Sequence, residues 1–353
     1  MSRHISAILT IPFLTALVSS SQTQTNPLVP FLGSYTVKSS TSGTTGAAVK
    51  AMVGPKRPTT AELKKGHVTQ TTPSGMETLL IGLGFGESPR WHDGRLWFCN
   101  WGRQEIVAVD DHGKSEVMVR VSTSLPFSID WLHDGRLLVV SGRERLLLRR
   151  EPDGSLVTHA DLRELAEQNC NEIVVDGRGN AYVNGSGFDR PGQKPPGIIA
   201  LVRPDGSVRQ VAGSLTFPNG MAVTPDNSTL IIAESQGNRL TAFAIMADGG
   251  LSNRRVWADL GDGVPDGICI DADKAVWYAD VPNKRCVRVR EGGEVLQTIN
   301  VDRGCFACML GSANKKTLFI VAAEWYGFEK MMEGLGTGQV LTVTAPAPGV
   351  GWP

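Results

Sequence analysis

Two stretches of this 353-residue chain share one layout, FPNGMAVTPD (217–226) and VPDGICIDAD (264–273). Each sets one polar residue between Pro and Gly, Asn219 in the first and Asp266 in the second, ahead of alternating apolar residues. Glu87, before SPRW, and Asn171, in CNEIVVD, stand at a comparable place before their own strand-like runs. All four side chains end in a carbonyl or carboxylate oxygen. Gathered in a narrow space, two carboxylates and two amides repel or stay unsatisfied unless a cation lies between them. Oxygen donors alone suit a hard divalent ion, Ca²⁺ or Mg²⁺, with Mn²⁺ accommodated and Zn²⁺ also accepting carboxylates. Taken singly, Pro-Asn-Gly and Pro-Asp-Gly are ordinary turn signals, and Glu87 and Asn171 pass as loop polars. Only a shared phase in repeated elements favours the cation reading. Rival chemistries lack their signatures. Cys305 and Cys308 form a CxxC without a second pair or a spaced His, and the six cysteines sit mostly inside apolar runs, where a small buried hydrophobe is the simplest role. No G-x-S-x-G, H-E-x-x-H or P-loop occurs, and GLGFG (82–86) leads into no helix-forming run.

The elements that must position these residues repeat. WHDGRLWF (91–98), LHDGRLLVV (132–140), VDGRGNAYV (175–183), TPDNSTLII (224–232), DADKAVWYA (271–279) and SANKKTLFI (312–320) each join a polar turn to a β-type run. Their anchors, Leu96, Leu137, Ala181, Leu230, Val276 and Leu318, recur every 41–49 residues. Asp-Gly between alternating apolar residues is a strong hairpin signal. A second alternating strand trails each copy, so each unit holds about four short strands. That period and strand count predict an all-β fold, a six-bladed β-propeller with four-stranded blades around a central channel. One such sheet cannot cover both its faces, and radial stacking buries them against neighbours. Trp91, Trp97, Trp131 and Trp277 fall near one phase and are expected to fill gaps between blades. Residues nine to eleven places before the anchors, Glu87, Ser128, Asn171, Asn219, Asp266 and Cys308, are expected on the innermost strands, at one mouth of the channel.

The propeller is expected over 76–345, followed by a C-terminal tail, 346–353. Residues 1–75 differ in character. MSRHISAILTIPFLTALVSSSQ has a basic start, a short apolar run and small polar residues after it, the layout of an export signal too short to span a membrane comfortably. Thr23 to Gly75 is Ser/Thr/Gly/Pro-rich and reads as disordered. A translation start at Met76 competes with export, and a cysteine pattern without a disulfide framework favours it, hence the cytoplasm. Lysines and arginines (35) balance acids (35) with no basic run, which argues against a nucleic-acid partner. The sequons at Asn184 and Asn227 read as chance.

From about 76 to 345 the chain resembles the gluconolactonase and regucalcin (senescence-marker) family of six-bladed propellers. The resemblance lies in GFGESPRWHDGRLWF, NEIVVDGRGNAYV, FPNGMAVTPD and VPDGICIDADKAVWYAD, in the family's order. It implies that Glu87, Asn219 and Asp266 bind one divalent metal ion (Ca, Mg, Mn or Zn). It also implies that Asn171 meets the substrate or completes the metal shell, and that Asp266 is a general base or proton shuttle. Where some members carry an Arg that holds a sugar-acid hydroxyl, this chain has Asn169, so the resemblance carries lactone chemistry further than sugar-lactone preference.

The expected activity is metal-dependent opening of a lactone or similar cyclic ester. Asp266 activates water, and Asn171 and Asn169 orient ring oxygens. Phe127, Asp189, Arg190 and Trp325 are expected at the mouth, with 186–197 as a lid or a plain loop. The partner is then a small-molecule lactone or ester, with no nucleic acid, no membrane integration, and a monomer or weak homo-oligomer. Two alternatives stand: an organophosphate or other ester hydrolase on the same ring, and a non-catalytic calcium-binding regulatory propeller.

Overall fold

The computed structural model describes residues 75–123, 125–186, 196–327, 330 and 334–353. The signal-like stretch, most of the 186–197 loop, Asp189 and Arg190 lie outside the described residues. Six antiparallel sheets form six four-stranded blades, with short 3-10 turns as the helical elements among the described residues. Blade 1 starts with Gly86–His92, blade 2 with Phe127–Trp131, blade 3 with Cys170–Val175, blade 4 with Pro218–Val223, blade 5 with Pro265–Asp271 and blade 6 with Gly304–Gly311. Each of these innermost strands packs on the next, and the sixth on the first, closing the ring around a channel. The N-terminal strand Glu77–Leu83 supplies the outer strand of blade 6 by pairing with Gly338–Thr344. First and last blades are thereby tied by hydrogen bonds rather than by packing alone.

The repeated Asp-Gly phrases make the inner hairpins. Asp93 and Gly94 both take positive φ, 48° and 71°, as a two-residue hairpin turn requires. The apolar faces fill the spaces between blades. Trp97 of blade 1 meets Trp131 of blade 2 edge-to-face at 5.3 Å, and Trp91 stacks on Phe319 of blade 6 at 5.4 Å. Trp277 is fully buried among residues of blades 5 and 6. All six cysteines are buried and unpaired. Burial pushes the Cys305 and Cys308 thiols up, away from the thiolate that metal or redox use needs.

The chain end also enters the sheet architecture. Gly349–Val350 pairs with Ile270 and Asp271 on the free edge of the blade 5 inner strand, and Trp352 exchanges two backbone hydrogen bonds with Val223 of blade 4. This segment crosses the base of the channel, the end opposite the strand starts. No helix among the described residues is long and apolar enough to cross a membrane.

Candidate active site

Glu87, Ser128, Asn171, Asn219 and Asp266 are each the second residue of an innermost strand, so all five stand at the same end of the channel. In blades 1, 3, 4, 5 and 6 the pairing with the second strand shifts at this level, between Glu87 and Arg90, Cys170 and Ile173, Pro218 and Met221, Pro265 and Ile268, and Cys305 and Ala307. Such bulges break the alternation of the strand and re-aim a side chain. Blade 2 pairs without a shift. There Ser128 is buried, and its hydroxyl donates to the Asn171 carbonyl at 2.6 Å.

Pro-Asn-Gly and Pro-Asp-Gly therefore lie in strands, not turns. Pro218 and Pro265 open their strands, where a missing N–H is tolerated. The glycines are required by close approach: a Cβ on Gly220 would stand 2.5 Å from the Asp266 carbonyl oxygen, and one on Gly267 would stand 2.5 Å from the Ala307 Cβ.

The sixth position requires a correction. Leu310 pairs with Leu318, as Trp91 pairs with Leu96 and Ile270 with Val276. The residue four places before that pair is Phe306, not Cys308. A longer hairpin in blade 6 shifted the count from the anchor. Cys308 is buried in the packing between blades, its thiol near the Gly267 carbonyl at 3.7 Å. The ring thus reads Glu87, Ser128, Asn171, Asn219, Asp266 and Phe306.

Four of these side chains interact across blades. Asn171 Nδ2 donates to Asn219 Oδ1 at 3.2 Å, and the Asn219 amide in turn hydrogen-bonds Asp266. Burial drives the Glu87 carboxyl well above the usual range, and repulsion from Asp266 and Glu172 adds to it. Burial likewise drives Asp266 up, reinforced by Glu172 and Asp280 and opposed by the Asn219 hydrogen bond. The Asp266 side chain keeps some exposure to the channel, but its Oδ1 is screened from solvent and has no hydrogen-bond partner.

Residues around the ring hold it in place, and several were not foreseen. Asn184, on the second strand of blade 3, accepts from the Glu172 N–H at 3.2 Å and donates to the Asn219 carbonyl at 2.6 Å, linking blades 3 and 4. It is fully buried, which a sequon reading does not suggest; an Asn inside the apolar run AYVNG was the available signal. Ser235 donates to the Pro265 carbonyl at 2.6 Å. Glu172 pairs with Arg90 at 3.2 Å. Asp280 is saturated by Asn283 and Arg285, so its carboxylate is a fixed negative neighbour of Asp266. Asn169 is buried beside the ring strand of blade 3, with its Nδ2 unpartnered. Phe127 is fully buried, so its side chain does not line the mouth as expected; its carbonyl takes the Trp101 Nε1–H at 2.6 Å. Trp325 is half-buried and packs on Phe85 and Phe306.

The donor set fits a hard cation. Two mutually repelling carboxylates, an orphaned carboxylate oxygen and two amides are what a divalent ion with oxygen ligands would satisfy. Among the described residues no three His, Cys, Asp or Glu side chains gather as metal ligands, so an ion here depends on the amides as well. Ligation through Asn219 uses the oxygen that now accepts from Asn171, so that contact would be exchanged on loading.

A family model for the SMP-30/gluconolactonase/LRE-like region matches residues 85–324, the propeller from the strand of Glu87 to the sixth blade. The chain belongs to this family. Regucalcin of Xenopus laevis is 28% identical over 250 residues, covering 67% of this chain and 83% of regucalcin. A pentonolactonase of Haloferax volcanii is 24% identical over 247 residues, covering 61% of this chain and 80% of its own. Among solved structures, a luciferin-regenerating enzyme superposes with a TM-score of 0.67 at 20% identity, over 78% of this chain and 97% of that one, and shares the fold. One of these relatives is thus named for opening a pentonolactone.

Proposed function

We propose that this propeller is a divalent-metal-dependent lactonase, with Glu87, Asn219 and Asp266 as metal ligands, Asn171 and Asn169 at the substrate, and Asp266 as the base. The observation that carries the reading is the pair Glu87 and Asp266, both raised by burial and shared negative charge, with Asp266 Oδ1 left without a partner. A structural carboxylate is normally satisfied by the protein; one left open at a channel mouth is a candidate for chemistry. A bound divalent ion supplies Lewis-acid polarisation of the ester carbonyl at this place.

The chain's own residues supply the rest. Asp266 accepts a proton from water as the water oxygen bonds to the carbonyl carbon. The ring C–O bond then breaks, and the proton returns to the departing alkoxide, leaving a hydroxy acid. Asn171, tied to Asn219, and the free Nδ2 of Asn169 orient the oxygens of the ring. The pentonolactonase relative supports lactone chemistry without naming the substrate of this chain. The test is acid release from a lactone panel. Chelator-treated protein is expected to be inactive and to recover with Ca²⁺, Mn²⁺, Mg²⁺ or Zn²⁺; full activity after chelation would remove the metal from the proposal. Metal binding with no turnover on the panel would favour the regulatory alternative.

A further inference from the structure

The wall above the oxygen donors is aromatic, and we propose that the site takes a lactone or ester carrying an apolar alkyl or aryl substituent rather than a polyhydroxylated one. This rests on the hydrolase reading above and adds the class of substrate. Phe306 occupies the ring position of blade 6, level with Glu87 and Asp266. It is buried, as is Phe85, which it meets edge-to-face at 5.0 Å, and it meets half-buried Trp325 at 5.6 Å. Half-buried Trp101, Phe217, Trp325 and Leu335 pack on this buried pair and supply the exposed apolar surface of the cluster. Phe85 and Phe217 each stand two residues before a donor, Glu87 and Asn219, so the chain carries them one level nearer the mouth.

Several polar groups on this face are already committed. The Trp101 N–H is held by the Phe127 carbonyl, the Gln104 amide donates to the Thr123 carbonyl at 2.9 Å, and Arg303 is bound to Asp302 and the Thr337 carbonyl. Asn169 differs: it is buried, and its Nδ2 has no partner. The unpartnered buried polar atoms, Asp266 Oδ1 and Asn169 Nδ2, thus gather at the donor end, with the apolar cluster beside them. An ester group is accommodated at the polar end. Hydroxyls around a sugar ring would give up water for phenyl and indole surfaces with few acceptors to replace it. An alkyl or aryl substituent gains by the same desolvation.

The experiment compares δ-decalactone with glucono-δ-lactone, which share a six-membered ring and differ in an alkyl chain against hydroxyls, on the full chain supplied with Ca²⁺ or Mn²⁺. The kcat/KM for δ-decalactone is expected to be higher by about 10-fold or more, at least the low end of what one methylene is worth in an apolar pocket. Trp325→Leu and, on the rim, Leu335→Ser should each lower that ratio, mainly through KM. An equal or higher kcat/KM for glucono-δ-lactone overturns the proposal. If neither lactone turns over, the hydrolase reading fails, and the pocket is judged by binding. Tryptophan fluorescence titrated with an alkyl δ-lactam and with glucono-δ-lactam should favour the alkyl compound, and no preference, or the opposite one, overturns the inference.

Discussion

The two ends of the channel treat buried carboxylates in opposite ways. At the base, Asp130 accepts the N–H groups of Trp131 and Val175 at 2.8 and 2.7 Å, and Arg90 stands 3.9 Å away. Glu172, midway, takes Arg90 at 3.2 Å and the Ser88 hydroxyl at 3.4 Å. Burial still raises both acids, but Arg90 and backbone donors pull them back. The base is then crossed by the chain end, which leaves a cavity of about 350 Å³ bordered by Arg90, His133 and Trp352. At the mouth, no cationic side chain among the described residues offsets the charge of Glu87 and Asp266, and the Asp266 Oδ1 has no hydrogen-bond partner among them. The fold is able to satisfy a buried acid even at the mouth end, where Asp280 on the neighbouring strand is held by Asn283 and Arg285, yet it leaves the channel-facing pair without such partners among the described residues. Ionised, the two carboxylates at the mouth are a cost to folding that protonation or a bound cation would offset.

The largest expected effect is on the rate. Asp266→Asn removes one charge and the base together, and lactone turnover should fall by roughly 10²–10⁴-fold. In chelator the variant should melt no lower than the parent, because a repelled carboxylate is replaced by a neutral amide of the same shape. A variant with near-parental turnover would make the mouth as structural as the base. Glu172→Ala tests the other side. It leaves the buried Arg90 with its nearest counter-charge gone, and stability should drop by about 3–5 kcal/mol, read by denaturant unfolding. An unchanged unfolding midpoint would mean that Arg90 does not depend on Glu172, and the contrast between the ends would collapse.

Much of this contrast is legible in the sequence, and its limits have physical causes. The blade count follows from the hairpin phrases, because Asp-Gly turns and alternating strands are local. Asn219 and Asp266 share a phase that can be counted along the chain, because blades 4 and 5 have nearly equal inner hairpins. Blade 6 has a longer one between Leu310 and Leu318, and counting along the chain gave Cys308 where the cross-strand pairing gives Phe306. Asn184 and Ser235 act on strands of the neighbouring blade, and Glu172 acts on Arg90 of blade 1. These depend on register between blades, which no single stretch encodes. Closure by Glu77–Leu83 is long-range for the same reason.

The contrast also sets a pH dependence. Glu87 and Asp266 have folded-state values above those of the unfolded chain, where carboxyls titrate near about 4. Without metal the folded protein therefore binds more protons than the unfolded one above that pH. The contribution of these two groups is fully present below about pH 4 and is lost as pH rises through their folded values. A cation reverses the sign, because it binds the deprotonated pair and competes with protons. The stabilisation by Ca²⁺, read as a rise in Tm, should accordingly be larger at pH 8 than at pH 5, its free energy differing by about 1.4 kcal/mol for each pH unit over which a proton has to be displaced. A gain independent of pH would place the ion away from these carboxylates.

The smallest effect is expected at the base. Removing residues 348–353 deletes the bonds from Ala272 N–H to the Pro348 carbonyl and from Gly349 N–H to the Lys315 carbonyl, both 2.8 Å, and the pair between Val223 and Trp352 at 2.7 and 3.0 Å. Each is worth roughly 0.5–1.5 kcal/mol net of water. Ordering six residues costs about 1–2 kcal/mol each in backbone entropy. Packing over the channel base, where Trp352 lies 6.2 Å from His133, offsets much of that. The net loss should be on the order of 1 kcal/mol, a Tm lower by about 2–4 °C. Lactone turnover should stay within about 2-fold of the full chain, since no residue of the mouth contacts the deleted segment in the bonds above and an equal free-energy change at the site would already exceed that factor. A truncated protein that keeps its Tm but loses most of its turnover would show that the floor of the channel sets the geometry of Asp266, and the two ends would have to be treated as one site.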